Sequence, residues 1–283
     1  EDKAKEVVED KAKEVVEGKD KEVAKEVAEE LIKYDDVHQQ EENIDNGNNI
    51  KVPSRPVIAT KQEDLDSGEM AHGILEVMQD GYGFIRCENY LPGENDVYVS
   101  PSQIRRFRLK TGDVLTGHTR VKTQAEKFGA LLYLAKVNNE PPNVAAERKA
   151  FEDLTPIFPN VRLKLEYPGC ERAMRVVDLV SPIGKGQRGM IVSPPKAGKT
   201  TLLKQVAKSI LTNSPDIHLI ILLIDERPEE VTDIKEAIYG KNVEVIYSTF
   251  DELPEHHKRV SEMVMERAKR LVEHKRDVMI LLD

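Results

Sequence analysis

The segment Ser193-Pro194-Pro195-Lys196-Ala197-Gly198-Lys199-Thr200-Thr201 carries the residue types of a phosphate-binding loop. The β-branched run before it and the helix-forming run after it predict strand, loop and helix. In that setting backbone amides and a helix N-terminus converge on phosphate oxygens. Lys199 is spaced to reach the β and γ phosphates of a nucleoside triphosphate, and Thr200 to offer its hydroxyl to Mg²⁺. The first position of the pattern is Ser193 rather than glycine, and Pro194 and Pro195 stiffen the loop after it. Two acidic strand ends complete the constellation. LLIDERPEE at 222–230 closes an apolar run with Asp225, Glu226 and Arg227, where Glu226 could polarise an attacking water as general base. VMILLD at 278–283 ends on Asp283, a carboxylate placed to hold a Mg²⁺ shell. For Glu226 taken alone, an ordinary polar strand cap is the plain alternative. His256 and His257 fall on different faces of a helix and read as solvated or capping residues rather than metal ligands.

A second chemistry stands at 81–86, Gly-Tyr-Gly-Phe-Ile-Arg. Strand alternation puts Tyr82, Phe84 and Arg86 on one face. Exposed aromatics two residues apart can stack on successive bases, at roughly 1–3 kcal/mol per base. The competing reading makes both rings barrel core; the flanking glycines, which would let backbone approach a ligand, favour exposure. Between Ile104 and Lys127, Arg105, Arg106, Arg108, Lys110, Arg120, Lys122 and Lys127 stand against only Asp113 and Glu126, an excess of positive charge suited to phosphates. Arg86, Asp96 and Glu126 are the candidate base-edge partners, because a carboxylate can accept from a cytosine amino group.

The elements that must position these groups fall into two patterns. Short alternating or β-branched stretches at 73–78, 82–87, 96–100, 114–121 and 130–137 are separated by turn signals such as Asp80-Gly81 and Pro92-Gly93. They predict a small Greek-key barrel of the oligonucleotide-binding kind. A proline-marked connector with a helix expected from Val144 to Leu154 leads out of it. Strands from Gly189 to Ser193, His218 to Asp225, Val243 to Tyr247 and Val278 to Asp283 then alternate with helices from Thr200 to Leu211, Glu229 to Tyr239 and Pro254 to Glu273. That order predicts an α/β domain with a mostly parallel sheet buried on both faces. The expected organisation is an acidic extension (1–46), a linker (47–69), the barrel (70–138), a connector (139–160) and the α/β domain (161–283).

Composition narrows the class. Of the 283 residues, 33% are charged and 39% hydrophobic, the polar side of globular. No apolar run exceeds the six residues from Leu219 to Ile224, far short of the ~20 that a membrane span needs. The charged N-terminus has no signal-peptide core. Two cysteines, Cys87 and Cys170, without CxxC spacing fit neither a disulfide framework nor a zinc site, and suit a reducing cytoplasm. The net charge of -9 belongs to residues 1–46, which hold 17 acidic and 8 basic residues; the remainder balances with 34 of each. There DKAKEVVE at 2–9 recurs at 10–17, and its apolar spacing reads as a solvated, partly helical low-complexity extension. The chain opens at Glu1 without Met and stops within an apolar run, which reads as a fragment with more sheet to follow.

VSPSQIRRF at 99–107, SPIGKGQRGMIVSPPKAGKTTLL at 181–203, LLIDERPEEVTD at 222–233, STFDE at 248–252 and AKRLVEHKRDVMILLD at 268–283 resemble the Rho family of bacterial transcription termination factors. The likeness runs from about Gly73 to Asp283. GYGFI alone also resembles cold-shock domains, and PIGKGQRG resembles rotary ATP synthase subunits, which lack the aromatic barrel and the DERPEE run. The resemblance implies a cold-shock-like barrel followed by the first part of a RecA-like ATPase domain. It further implies a homohexamer that loads on C-rich nascent RNA, hydrolyses ATP with Mg²⁺ and frees RNA from the RNA polymerase complex. On that reading Tyr82, Phe84, Arg86, Asp96, Tyr98, Glu126, Lys127 and Phe128 form the RNA site. Lys127-Phe128 replace a common Arg-Tyr pair, so cytosine selectivity should be milder. Lys196, Gly198, Lys199 and Thr200 hold nucleotide, Thr201 lies near its base, Glu226 is the base with Arg227 beside it, and Asp283 serves Mg²⁺. The usual N-terminal helical subdomain is not recognisable. The arginine finger and the motor's RNA loops lie further along in this family, so this stretch is expected to bind RNA but hydrolyse ATP poorly. Other readings are an RNA-binding fragment without catalysis, or a P-loop ATPase subunit without RNA affinity.

Overall fold

A computed structural model describes residues 66–122, 126–194 and 196–283. The acidic repeat, all of the linker up to residue 65 and Pro195 lie outside the described residues.

The β-rich stretches close into a barrel. β1 (Asp66–Val77), β2 (Gly83–Arg86), β3 (Val97–Val99), α1 (Pro101–Arg106), β4 (Val114–Arg120) and β5 (Gly129–Val137) follow in sequence. The strands close in the order β1-β2-β3-β5-β4, with β3 and β5 the parallel pair. Period-2 alternation sends Leu75, Ile85, Val97, Val99, Leu115 and Leu131 into one core. Ser100 and Gln103 form a capping box at the start of α1, a short helix not anticipated from the sequence. β1 begins at Asp66, inside the stretch expected to be linker.

The connector departs from expectation. Instead of one helix from Val144 to Leu154 there is a short α2 (Pro142–Ala146) and a single 3-10 turn at Phe151–Asp153. The cause is electrostatic. Arg148 turns inward to Asp113 and Glu273, and the Phe151 amide donates to Glu273 Oε1 at 2.9 Å instead of to a helical carbonyl.

The second half continues with β6 (Arg162–Leu163), α3 (Arg172–Val180), β7 (Ile183–Gly184), α4 (Lys199–Asn213), β8 (His218–Glu226), α5 (Pro228–Ala237), β9 (Val243–Thr249), α6 (Pro254–Glu273) and β10 (Val278–Leu282). β10, β8 and β9 form a parallel sheet with β8 central. Leu219, Ile221 and Leu223 pack with Leu203, Val206 and Ile210 of α4 and Val231 and Ile234 of α5. Ile220 and Leu222 point the other way, onto Val260, Met263 and Val264 of α6. Ile74 and Tyr90 of the barrel join that second core, so the barrel rests on the α6 side of the sheet. The strand expected from Gly189 to Ser193 does not form. These residues are exposed, Met190 by 87% and Val192 by 84%, and no strand among the described residues lies beside them to pair with their amides.

Candidate nucleic-acid and nucleotide sites

On the barrel, Tyr82, Phe84, Tyr98 and Phe128 form one aromatic cluster on the outer face. Phe84 lies 5.9 Å from Tyr82, 6.0 Å from Tyr98 and 5.3 Å from Phe128, in each case edge to face. The register explains the gathering, since Phe84 stands opposite Tyr98 across β2 and β3. Ile85 faces the core, so the half-exposed Tyr82 and Phe84 are not core rings. Gly83 has a different purpose from the one expected: a Cβ there would come within 2.9 Å of the Glu76 carbonyl and the Leu75 side chain. It permits close packing inside the barrel rather than approach of a ligand.

Phe84, Tyr98 and Phe128 line a cleft of about 440 Å³, with Arg120, Glu126 and Lys127 at its rim. Arg120 pairs with Glu126, and the Lys127 ammonium sits 5.2 Å from the Phe128 ring centre. Arg86 lies 5.0 Å over Phe84, and its guanidinium is held by Asp96 and Glu76. Asp96 is only 2% exposed; its Oδ2 takes the Arg86 pair and the Gly93 amide, and its Oδ1 is buried without a hydrogen-bond partner. Arg105, Arg106 and Arg108 are exposed, whereas Asp113, counted against them in the sequence, is buried with Arg148. Lys110 in turn is drawn to Glu273 and Arg120 to Glu126, so the exposed Arg105, Arg106 and Arg108 carry the outward positive charge.

At the phosphate-type loop the backbone turns through Lys196 (φ 59°) and Gly198 (φ 88°) before α4 begins at Lys199. Ser193 is not among the positive-φ residues, which removes the conformational need for glycine at that position. Lys196, Ala197, Gly198 and Thr201 are exposed. Lys199 pairs with Asp283, and Thr200 Oγ1 donates to Asp283 Oδ2 at 3.2 Å. The hydrogen bond and the charge of Asp283 raise the Lys199 pKa. Thr200 and Asp283 bring a hydroxyl and a carboxylate to one point, a hard-oxygen pair that fits Mg²⁺, which takes few protein ligands and completes its shell with phosphate and water. No cluster of three or more His, Cys, Asp or Glu placed to bind a metal occurs among the described residues.

Glu226 reaches this point through a β-bulge. Ile224 pairs with Ser248 and Glu226 with Thr249, leaving Asp225 as the extra residue, at φ 61°. Burial, the charge of Asp283 and a hydrogen bond with Glu230 push the Glu226 carboxyl up, against a lesser pull from Lys199. Arg227 stands apart, 70% exposed at the N-cap of α5 and 3.9 Å from Glu229. The structure thus gathers Lys199, Thr200, Asp283 and Glu226, and leaves Arg227 outside. His256 faces Glu252 and His257 faces Ser248.

Sequence reasoning missed the ionic seam between barrel and sheet. Glu273, fully buried, meets Arg148 at 2.7 Å and Arg270 at 3.2 Å. Glu244 on β9 receives His218, Arg267 and the Tyr90 hydroxyl. Burial would push Glu244 up, but these partners outweigh it and hold its carboxyl at about 2. An apolar strand with one Glu gave a faint signal at Glu244; partners far along the chain gave none.

A family model described as the Rho termination factor RNA-binding domain matches residues 71–143. Another, the ATP synthase alpha/beta family nucleotide-binding domain, matches residues 173–283. The transcription termination factor Rho of Borreliella burgdorferi is 56% identical over 213 residues, covering 75% of this chain and 41% of that protein. That of Pseudomonas aeruginosa is 51% identical over 234 residues, 80% of this chain and 55% of the relative. The Aquifex aeolicus protein is 54% identical over 215 residues, 75% and 49% respectively. The chain spans about half the length of the curated relatives it matches. Among the described residues no helix is long and apolar enough to cross a membrane.

Proposed function

Given that the chain belongs to the Rho termination factor family over the stretch it shares with these relatives, we propose that it is the RNA-loading and nucleotide-holding part of an RNA-dependent ATPase. In the complete protein these parts would serve a cytoplasmic homohexameric translocase that loads on C-rich nascent RNA and releases it from RNA polymerase. On this reading the RNA-binding part runs over 70–138, with β1 reaching back to Asp66, and the ATPase part over 161–283.

The observation that carries the RNA end is the aromatic cleft beside a buried acceptor without a partner. Tyr82, Phe84, Tyr98 and Phe128 offer ring faces to successive bases. Asp96 Oδ1 is covered in the free chain, so the entering base has to uncover it before it accepts from the exocyclic amino group of cytosine; uracil presents a carbonyl there and would leave the carboxylate unsatisfied. Arg86, fixed beside it, supplies donors to the base edge, and Glu126 and Lys127 close the rim. Phe128 has no hydroxyl to add a further contact, in keeping with a milder preference.

At the nucleotide end, Lys199 exchanges Asp283 for the β and γ phosphates. The loop from Pro195 to Gly198 cradles them through the amides of Lys196, Ala197 and Gly198, Pro195 having none to give. Thr200 and Asp283 would hold Mg²⁺, which neutralises and orients the phosphates. Glu226, made more basic by burial, Asp283 and Glu230, takes the proton of the attacking water. Thr201 borders the nucleotide base. Arg227 takes part by leaving Glu229, so its loss should cost less than that of Glu226.

Fluorescence anisotropy of labelled oligo(rC), with oligo(rA) and a DNA control at two salt concentrations, tests the reading. Selective binding that weakens with salt is the expected result. Absence of binding in a folded sample would favour a P-loop ATPase without RNA affinity, and RNA binding indifferent to Lys199→Ala in a complete protein that does not hydrolyse ATP would favour a non-catalytic RNA-binding protein.

A further inference from the structure

Arg86 does not hold its position through barrel residues alone. Its Nε and Nη2 both donate to Glu76 Oε2 at 2.7 Å, and its Nη1 meets Asp96. Glu76 stands opposite Phe84 across β1 and β2 and is itself gripped from outside the barrel. Arg259, on α6, donates through Nε to Glu76 Oε1 at 2.9 Å and through Nη2 to Oε2 at 2.7 Å. The Arg86, Asp96 and Glu76 side chains are 5%, 1% and 15% exposed, and Arg259 is 33% exposed. Two guanidiniums and two carboxylates thus make a neutral, largely desolvated cluster whose outer member is Phe84, under Arg86.

We infer that Arg259 is a positioning residue for base recognition, acting through Glu76 on Arg86. The inference rests on the reading of the barrel as an RNA site. The two arginines compete for one carboxylate. While Arg259 occupies Oε1 and shares Oε2, Glu76 can offer Arg86 only Oε2, and the rest of the Arg86 fork remains turned to Asp96 and across Phe84. Without Arg259 the cluster carries one surplus negative charge, and Glu76 is free to take Arg86 in a two-oxygen grip. That grip, made by the Nε–Nη2 edge, pulls the guanidinium toward Glu76 and shifts its Nη1 contact with Asp96 and its seat over the Phe84 ring, which disturbs the acceptor and donors set for the cytosine edge. Contacts within one ion-pair network are coupled, so the effect of Arg259 should appear at Arg86 although α6 lies outside the barrel. The residue that reads a base is then tuned by the helix that leads, through β10, to Asp283.

The test measures binding of oligo(rC) and oligo(rA) to the full 283-residue chain, as wild type, Arg259→Gln and Arg259→Lys, with circular dichroism melts beside them. Arg259→Gln is expected to weaken oligo(rC) about fivefold and oligo(rA) by less than about twofold. A merely structural role would lower both affinities together and leave their ratio unchanged. Arg259→Lys keeps the charge and should regain at least half of the lost ratio. An unchanged rC-to-rA ratio in a folded Arg259→Gln chain would overturn the inference, as would a lysine variant no better than glutamine. Wild-type chain that binds neither oligomer would instead overturn the RNA reading beneath it.

Discussion

The aromatic cleft and the phosphate-type loop are both placed by strands, yet they are finished differently. In the cleft, side chains of a closed barrel do the finishing: register sets Phe84 against Tyr98 and Glu76 against Phe84, and the rings pack on one another. In the loop, exposed backbone and the ends of two parallel strands do it, and the charges pair among themselves, Lys199 with Asp283. A surface for flat, weakly polar ligands can stand ready because its rings satisfy one another by contact. A surface for a polyanion has to hold its own charges in pairs that the ligand can exchange. Perturbation of a ring should therefore act locally in the cleft, where only the Arg86–Glu76–Arg259 link reaches out of the barrel, and perturbation of a charge should act collectively at the loop.

The largest test of that contrast is Glu226→Gln. In the complete protein it should lower ATP hydrolysis by ~10²- to 10⁴-fold while oligo(rC) affinity stays within error. Because burial, Asp283 and Glu230 raise the Glu226 pKa, hydrolysis should fall with acid at a pH above the ordinary carboxylate range. Glu230→Gln should move that limb to lower pH, and a pH–rate profile reads it directly. A change in RNA affinity on Glu226→Gln would break the separation of the two sites.

Next in size is the seam beneath both. Glu244 titrates at about 2 in the folded chain against 4.5 as its ordinary value. A depressed acid stabilises above its unfolded pKa and loses that contribution as pH falls from about 4.5 toward 2. The amount is roughly 3 kcal/mol at neutral pH, as an order of magnitude. Thermal melts should thus show Glu244→Gln well below wild type at pH 7, and a smaller gap at pH 3. An equal gap at both would detach the effect from the Glu244 charge.

Phe84→Ala sharpens the cleft side. It should weaken oligo(rC) by ~1–3 kcal/mol, more than any single lysine change, and leave nucleotide binding as it was. Unchanged RNA affinity in a folded variant would return the ring to a packing role.

How much of this was legible depends on the distance over which each signal acts. Tyr82 and Phe84 share a face because neighbours in a strand alternate, and Lys199 and Thr200 open a helix because a loop precedes them; such rules act within a few residues. The parallel strands were legible from runs such as Leu219 to Leu223, apolar on both faces. The strand expected from Gly189 to Ser193 failed because β-branched composition cannot supply a partner strand. The helix expected from Val144 to Leu154 failed because Arg148 prefers Glu273, a residue 125 positions away, to a helical surface. Glu76 and Arg259, 183 positions apart, were invisible for the same reason. Buried charge pairing is non-local, and single-residue patterns do not report it.

The smallest prediction tests the loop side through backbone alone. Asp225 sits at φ 61° because the bulge must fit two residues, Asp225 and Glu226, opposite Thr249. An L-residue with a Cβ is strained there by roughly 1–2 kcal/mol, less for Asp, whose short polar side chain tolerates the left-handed region. Asp225→Gly should therefore leave stability and hydrolysis near wild type, since glycine adopts that φ without strain. Asp225→Val should cost about 1 kcal/mol more than Asp225→Gly in thermal melts and lower hydrolysis as Glu226 shifts from Lys199 and Asp283. Neither should alter oligo(rC) affinity, because no cleft residue depends on the bulge. Equal hydrolysis in the two variants would mean that Glu226 finds its place without the bulge, and the loop site would then be as independent of backbone strain as the cleft.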